Sequence, residues 1–137
     1  MTLHVELLGF DDCPNRGVAL ERLRSALDAE QVTAVVTAVD VADPALAHEL
    51  RFLGSPSVRI NGVDIEPSAR SAVEFGLMCR TYKTAAGVEG APSIEMLRIA
   101  IRAQMLRFRS ARNYGILIVR DCGQELATVI VNEMQLN

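Results

Sequence analysis

A cysteine followed directly by a proline is the part of this sequence whose residue types are best suited to chemistry. Before Cys13, the segment Leu3–Gly9 alternates apolar and polar residues as a strand does, and after Pro14 apolar residues recur at helical spacing. Pro14 fits the first position of a helix, where its missing N–H would have had no partner. Cys13 is then predicted to be the N-cap, where free N–H groups and the helix dipole stabilise a thiolate, the reactive form. The sequence therefore predicts a nucleophilic cysteine at a strand-to-helix turn.

The charges beside Cys13 act in opposite directions. Arg16, one turn into the predicted helix, would favour the thiolate, whereas Asp11 and Asp12 would oppose it. A second interpretation treats Cys13 as a small buried apolar residue and Pro14 as an ordinary helix starter, because most free cysteines are packing residues. Local sequence leaves both interpretations open.

The elements that must position Cys13 alternate between strands and helices. Val32–Val41 is rich in β-branched residues on both faces, which predicts an interior strand of a covered parallel pair. Asp43 and Pro44 are typical of a helix N-cap and first residue, and Gly54 is predicted to end that second helix. Asn61-Gly62, between two short apolar runs, predicts an antiparallel hairpin.

The remaining residues predict less regular structure and a final hairpin. Ser68–Phe75 favours a turn or two of helix, and Leu77–Tyr82 a short extended piece that holds Cys79. Pro92 is predicted to start a helix that runs to Phe108. Two apolar runs on either side of Cys122 predict a hairpin. We therefore expect one domain over residues 1–108, and an extension over 109–137 that is not an independent domain.

Composition and charge narrow the class of protein. The chain has 137 residues, a net charge of −3 and three widely spaced cysteines. The mild acidity argues against nucleic acid and anionic membranes as partners, and no apolar run is long enough to span a bilayer. The N-terminus lacks the pattern of a signal peptide, so we expect a cytoplasmic protein with reduced thiols. The cysteine spacing matches neither a disulfide framework nor a zinc motif, and we expect no cofactor or dedicated metal ligands.

The order β-α-β-α-β-β-α, with a cysteine at the first strand-to-helix turn and a proline before the third strand, resembles the thioredoxin-like fold. The resemblance implies an α/β domain with a mixed central sheet, to which the C-terminal β-hairpin extension is added. It implies that Cys13 is the nucleophile and that Pro56 is a cis proline against it. The match is closer to small bacterial thioredoxin-family proteins, some of them labelled alkylmercury lyase, and it covers roughly residues 2–102. The shared elements are Phe10 to Pro14, Gly54-Ser55-Pro56-Ser57, Asn61-Gly62 and Cys79-Arg80-Thr81-Tyr82.

This sequence departs from the thioredoxin pattern in one respect, because Cys13-Pro14-Asn15-Arg16 lacks the second cysteine of Cys-x-x-Cys. Three hypotheses follow. Cys13 attacks a thiol or disulfide substrate, protein or small molecule, and Cys79 or an outside thiol resolves the mixed disulfide. Alternatively, Cys13 and Cys79 hold a soft metal ion such as Hg(II) or Cu(I), or the domain is a non-catalytic binding module. The first hypothesis makes the chain a thiol-disulfide oxidoreductase.

The first hypothesis assigns a role to each candidate residue. Cys13, Cys79 and Pro56 form the catalytic set, and the residues expected to contact substrate are Pro14, Arg16, Ser55 and Arg80. The apolar neighbours of Cys79 predict that its side chain is buried. The redox hypothesis instead requires Cys79 to approach Cys13, and we expect it to do so from the side opposite Pro56. Arg80 either lines the site or belongs to a solvated edge. Cys122 is expected to be an incidental exposed thiol, and the C-terminal hairpin offers a surface for a homodimer.

Overall fold

Strands and helices alternate along the first half of the chain. The computed structural model describes the backbone of residues 2–113, 116–121 and 124–130, and the side chains as far as residue 107. The first six elements are β1 (Thr2–Gly9), α1 (Asn15–Glu30), β2 (Thr33–Asp40), α2 (Pro44–Glu49), β3 (Ser57–Ile60) and β4 (Val63–Asp64). After a 3₁₀ turn at Pro67–Ser71 come β5 (Tyr82–Thr84), β6 (Gly87–Glu89), α3 (Ile94–Asn113), β7 (Ile116–Asp121) and β8 (Gln124–Ile130).

The first four strands form one mixed sheet in the order β2-β1-β3-β4. β1 pairs in parallel with β2 and antiparallel with β3, and β3 pairs antiparallel with β4. The parallel pair needs a crossover helix, which α1 supplies, whereas the antiparallel pair β3–β4 needs only a two-residue turn. The expectation of a mixed α/β fold is confirmed.

The prediction that the valine-rich second strand lies in the interior is wrong. Within the described sheet β2 pairs with β1 alone, so it forms an edge. Val35 and Val36, which point to opposite faces, are 50% and 36% exposed. β-branched residues favour extended backbone wherever a strand lies, so their presence does not reveal its place in the sheet.

β1 carries the centre of the core because both of its faces are covered. Leu8 packs with Val41, Ala47 and Phe52, all of them fully buried, on the face covered by α2. Leu3, Val5 and Leu7 point to the opposite face, since strand residues alternate, and they are buried too. The C-terminal end of β1, which leads to Cys13, is therefore held by packing on both sides.

α2 ends five residues before the predicted stop at Gly54. Arg51 has a left-handed backbone with φ of 53°, its N–H donates to the His48 carbonyl, and the Phe52 N–H donates to the Ala47 carbonyl. These two bonds form a Schellman motif, in which the left-handed position is more often glycine. The motif places Phe52 in the core, where it is fully buried. The left-handed residue that ends the helix is therefore an arginine, three residues before the glycine that the sequence predicts.

The predicted Asn61-Gly62 hairpin is confirmed. Both residues have positive φ, 52° and 81°, and Ile60 pairs with Val63 across the turn. The N-cap of α2 is confirmed as well, because the Asp43 side chain accepts a hydrogen bond from the Leu46 N–H at 2.8 Å. Both features depend only on adjacent residues.

The segment between β4 and α3 is only partly as predicted. The expected helical turn is the 3₁₀ turn at Pro67–Ser71, but the hairpin of β5 and β6 was not predicted. α3 begins at Ile94 rather than Pro92 because the Ser93 hydroxyl caps it, accepting a hydrogen bond from the Met96 N–H at 3.1 Å.

The chain divides into two compact units, Met1–Ile101 and Arg102–Asn137. In the second, β7 and β8 pair antiparallel with Asp121 opposite Gln124, which confirms the predicted hairpin. Among the described residues, no helix is both long and apolar enough to cross a membrane.

Candidate functional site

Cys13 lies in a tight turn that joins the end of β1 to α1. Its N–H donates to the Phe10 carbonyl at 3.1 Å, and its own carbonyl accepts from the Arg16 N–H at 3.3 Å. The residue is buried, with 7% of its surface exposed. The N-cap of α1 is Pro14, so the prediction that Cys13 is the N-cap is wrong by one residue. The Cys13–Arg16 bond is of the 3₁₀ type, and it tightens the first turn so that Cys13 remains next to the helix N-terminus.

Arg16 is paired with acidic neighbours. Its Nη1 lies 3.1 Å from Asp11 Oδ1 and 3.9 Å from Asp40 Oδ1. Asp11 is well exposed, so the closer pair contributes at most about 1 kcal/mol and is screened by salt. The carboxylates compete with Cys13 for the charge of Arg16, and a substrate that used Arg16 would have to displace Asp11.

The peptide bond between Ser55 and Pro56 is cis, which confirms that prediction. Ser55 lies against the end of β1, because its Oγ accepts a hydrogen bond from the Phe10 N–H at 3.4 Å. A Cβ added at Gly9 would lie 2.7 Å from that oxygen, so a larger residue at this position would displace the Ser55 hydroxyl. Ser55 thus brings the cis bond to the turn that holds Cys13, while contact between Pro56 itself and Cys13 stays a prediction.

Tyr82 anchors the proline from the other side. Its hydroxyl donates to the Pro56 carbonyl at 2.5 Å, and the side chain is almost fully buried. Burial raises the pKa of Tyr82, although the nearby charge of Arg80 acts in the opposite direction. A neutral hydroxyl therefore holds the proline loop throughout the physiological pH range.

Cys79 lies beside Ser55 on the surface. The Ser55 N–H donates to the Met78 carbonyl at 2.8 Å, the Arg80 N–H donates to the Ser55 carbonyl at 3.0 Å, and Ser55 and Cys79 form a parallel β-bridge. The prediction that Cys79 is buried is wrong: it is exposed, and Leu77 and Met78 are 42% and 41% exposed. Cys79 thus pairs with the residue directly before Pro56, and its expected approach to Cys13 from the side opposite Pro56 stays a prediction.

Arg80 is a buried ion-pair centre and not a solvated edge. Its guanidinium binds both carboxylate oxygens of Asp64, at 2.7 and 2.8 Å, and also Glu66 at 2.9 Å and Ser57 Oγ at 3.0 Å. It lies 4.7 Å from the centre of the Tyr82 ring. Burial by itself lowers the pKa of Arg80, but the hydrogen bond and charge of Asp64 and the charges around it raise it overall. These contacts position the Cys79 segment and give no support to direct substrate binding by Arg80.

Sequence reasoning missed the partners of Arg80. Asp64 is a buried carboxylate between two apolar residues, Val63 and Ile65, directly after the Asn-Gly turn. A carboxylate at such a position needs a buried cation, and this was the available signal. No comparable signal points to Glu89, whose pKa is lowered by hydrogen bonds from Thr84 and Arg22 and which ties β6 to α1.

The described residues hold no group of three or more His, Cys, Asp or Glu side chains that could bind a metal ion. What the structure does bring together at Ser55 is the turn that leads from Phe10 to Cys13, the cis bond and Cys79. Pro14 is exposed at the start of α1, where it can reach solvent. Cys122 lies outside the described residues.

Comparison of the chain with known proteins gave no match to a family model, a curated protein or a solved structure.

Proposed function

We propose that this chain is a thiol-disulfide oxidoreductase of thioredoxin-like fold, with Cys13 as the attacking thiol and Cys79 as the resolving thiol. The observation that carries the proposal is the position of Ser55. Its side chain accepts from the Phe10 N–H in the turn that holds Cys13, its backbone pairs with Cys79, and it forms the cis bond with Pro56.

The order of elements and the sheet support the fold assignment. β1 is central, β2 is parallel to it, β3 and β4 follow antiparallel, and the cis proline directly precedes β3. Because β1 and β3 are neighbours, the turn that follows β1 contacts the loop before β3 through Phe10 and Ser55. That adjacency is the arrangement that the resemblance to thioredoxin-like proteins implies.

The proposed reaction exchanges one disulfide for another. The Cys13 thiolate attacks one sulfur of a substrate RS–SR′, so that a Cys13–SR bond forms and R′S⁻ leaves and takes up a proton. The Cys79 thiolate then attacks the Cys13 sulfur, and RS⁻ leaves as a Cys13–Cys79 disulfide forms. Two molecules of an outside thiol, or one dithiol, reduce this disulfide and are themselves oxidised. The net reaction is reduction of the substrate disulfide by the outside thiol.

The backbone pairing of Cys79 offers a replacement for the second cysteine that the Cys13 motif lacks. Because Met78 and Arg80 are both hydrogen bonded to Ser55, Cys79 is held beside the cis proline, and the resolving thiol comes from a distant part of the sequence. A disulfide needs the two Cα atoms within about 7 Å, so a small movement of the exposed Cys79 segment toward Cys13 is part of the proposal. The exposure of Leu77, Met78 and Cys79 supports such a movement.

Mass spectrometry after reaction with glutathione disulfide tests the proposal. In a Cys122→Ser background, we expect the reduced protein to lose two hydrogens as Cys13 and Cys79 join. Cys79→Ser in that background should accumulate a glutathione adduct on Cys13, and Cys13→Ser should react much more slowly. Cys122→Ser by itself should behave as the unmodified chain does.

Two outcomes would overturn the redox proposal. If Cys13 reacts with glutathione disulfide only in denaturant, it is a packing residue and the chain is a binding module. If the two cysteines never join but hold one Hg(II) or Cu(I) ion, and loss of either thiol abolishes that binding, the soft-metal alternative is correct.

A further inference from the structure

A groove on the surface of the first unit combines arginines with apolar side chains. It runs between the end of α2, the β3–β4 hairpin and the segment after the 3₁₀ turn, and its volume is about 350 Å³. We call it the basic groove and define it by Arg51, Arg59 and Arg70 and by the apolar wall of Leu53, Val63 and Phe75. Sites for small ligands have volumes of about 300–1,000 Å³, so the groove is large enough for a small one. It shares no residue with the cysteine site.

Two of the three guanidinium groups are held in place by the backbone. Arg59 Nη2 donates to the carbonyls of Leu50 and Arg51 at 2.7 and 2.9 Å, and Arg70 Nε donates to the Asp64 carbonyl at 3.0 Å. In each arginine, these bonds use only one edge of the guanidinium group. Neither Arg59 nor Arg70 forms another side-chain hydrogen bond in the described part of the chain. Their free N–H groups are therefore preorganised, which lowers the entropic cost of binding a ligand.

The charge of the groove is positive, although the whole chain carries −3. Arg51 is exposed and has no ion-pair partner among the described side chains. Asp64 is the one carboxylate that lines the groove, and both of its oxygens bind Arg80. Glu6 is in cross-strand register with Arg59, but no ion pair joins the two in the described structure. Among the described side chains, no carboxylate therefore forms a salt bridge with any of the three groove arginines.

The apolar wall restricts the kind of anion that fits. Phe75 is partly buried and packs edge-on against His48, with ring centroids 6.4 Å apart, and Leu53 and Val63 are half-buried. Inorganic phosphate would leave this wall in contact with water, and a neutral apolar molecule would leave the guanidinium groups unpaired. We propose that the basic groove binds a small amphiphilic oxyanion, with its carboxylate or phosphate head on the arginines and its apolar body on the wall.

Titrations followed by amide NMR test this with octanoate and octyl phosphate as probes. We expect saturable shifts at Gly62, Val63 and Ala72, and weaker binding as salt is added. Octanol and inorganic phosphate, each of which lacks one half of the ligand, should shift these amides little. The tighter of the two anionic probes identifies the head group.

Arg51→Gln is the variant of choice because the Arg51 side chain forms no hydrogen bond or ion pair with a described residue that the substitution would remove. We expect it to weaken binding of the tighter probe about ten-fold, as for the loss of a hydrogen bond to a charged group. Arg24→Gln, on the exposed surface of α1, makes the same charge change away from the groove and should leave the affinity unchanged. Equal weakening by both variants, binding of octanol as tight as that of octanoate, or shifts confined to other residues would overturn the proposal. Because both cysteines are untouched, its failure would not bear on the redox function.

Discussion

Cys79 is joined to Ser55 through the backbone, and Ser55 is joined to the turn before Cys13 through its side chain. Cys79 and the turn that leads to Cys13, 66 positions apart in the sequence, thus both contact the same serine. Small changes around Ser55 should therefore alter the reaction between the cysteines as well as the stability of the fold.

Arg80 should be the residue whose loss destabilises the site most. Arg80→Met leaves the Asp64 carboxylate buried and unpaired, and we expect a loss of about 3–5 kcal/mol in the free energy of unfolding. Urea unfolding followed by circular dichroism measures it. The double variant Arg80→Met with Asp64→Leu should recover much of the loss, because no buried charge is then left alone.

Arg24→Met is the matched control for Arg80. Arg24 is exposed on α1, so this variant should change the free energy of unfolding by less than about 0.5 kcal/mol. An effect of Arg80→Met as small as this would mean that the ion pair is not formed as described.

Gly54 should be required for the Cys79 segment to lie beside Ser55. Its φ is +116°, and an added Cβ would lie 3.0 Å from the Arg80 Cβ and 3.1 Å from the Met78 Cγ. Gly54→Ala should cost about 1–3 kcal/mol and should also slow formation of the Cys13–Cys79 disulfide. Thermal unfolding and the oxidation assay measure the two effects.

Gly17→Ala is the matched control, because it makes the same glycine-to-alanine change at a position where the added methyl group has space. Gly17 lies inside α1 and a Cβ there meets nothing within 4 Å, so alanine should stabilise the protein by about 0.5–1 kcal/mol. If Gly54→Ala were equally benign, the close approach of Met78 and Arg80 to Gly54 would be contradicted.

Tyr82 should make the protein less stable at high pH. Because burial raises its pKa above the ordinary value of 10.0, the folded chain keeps the phenol proton after the unfolded chain has lost it. The free energy of unfolding should then fall as the pH rises above 10. Tyr82→Phe should remove this dependence and, through loss of the Pro56 hydrogen bond, cost about 1 kcal/mol at neutral pH. The tyrosinate absorbance of the unmodified chain minus that of Tyr82→Phe, which retains Tyr114, shows whether Tyr82 resists ionisation until the protein unfolds.

Glu89 should contribute stability that is lost in acid. Its pKa is lowered from the ordinary value of 4.5 by hydrogen bonds from Thr84 and Arg22, so the unfolded chain takes up the proton first as the pH falls. The contribution is fully present above pH 4.5 and disappears as the pH falls through the lower folded value. Glu89→Gln should therefore be less stable than the unmodified chain at pH 7 and equal to it in strong acid. A difference that stayed constant with pH would contradict the ion pair.

The parts of this protein that the sequence determined are those that depend on adjacent residues. Asn61-Gly62 adopts positive φ because these two residue types tolerate it, Asp43 caps α2 because its side chain reaches a nearby N–H, and the alternation of β1 specifies its buried faces. The cis bond at Ser55–Pro56 was expected from the resemblance to thioredoxin-like proteins and not from such a local rule. The mixed α/β class and the placement of Cys13 in a strand-to-helix turn followed from these local rules.

Only the tertiary structure decided which segments lie side by side. β2 is an edge because no further described strand joins it, Cys79 is exposed because its segment pairs with Ser55 at the surface, and Arg80 is buried because Asp64 lies across from it. Each of these depends on contacts between residues far apart in the chain. The free energy of such a contact depends on both residues. A single segment of sequence does not show which distant residue will be its partner.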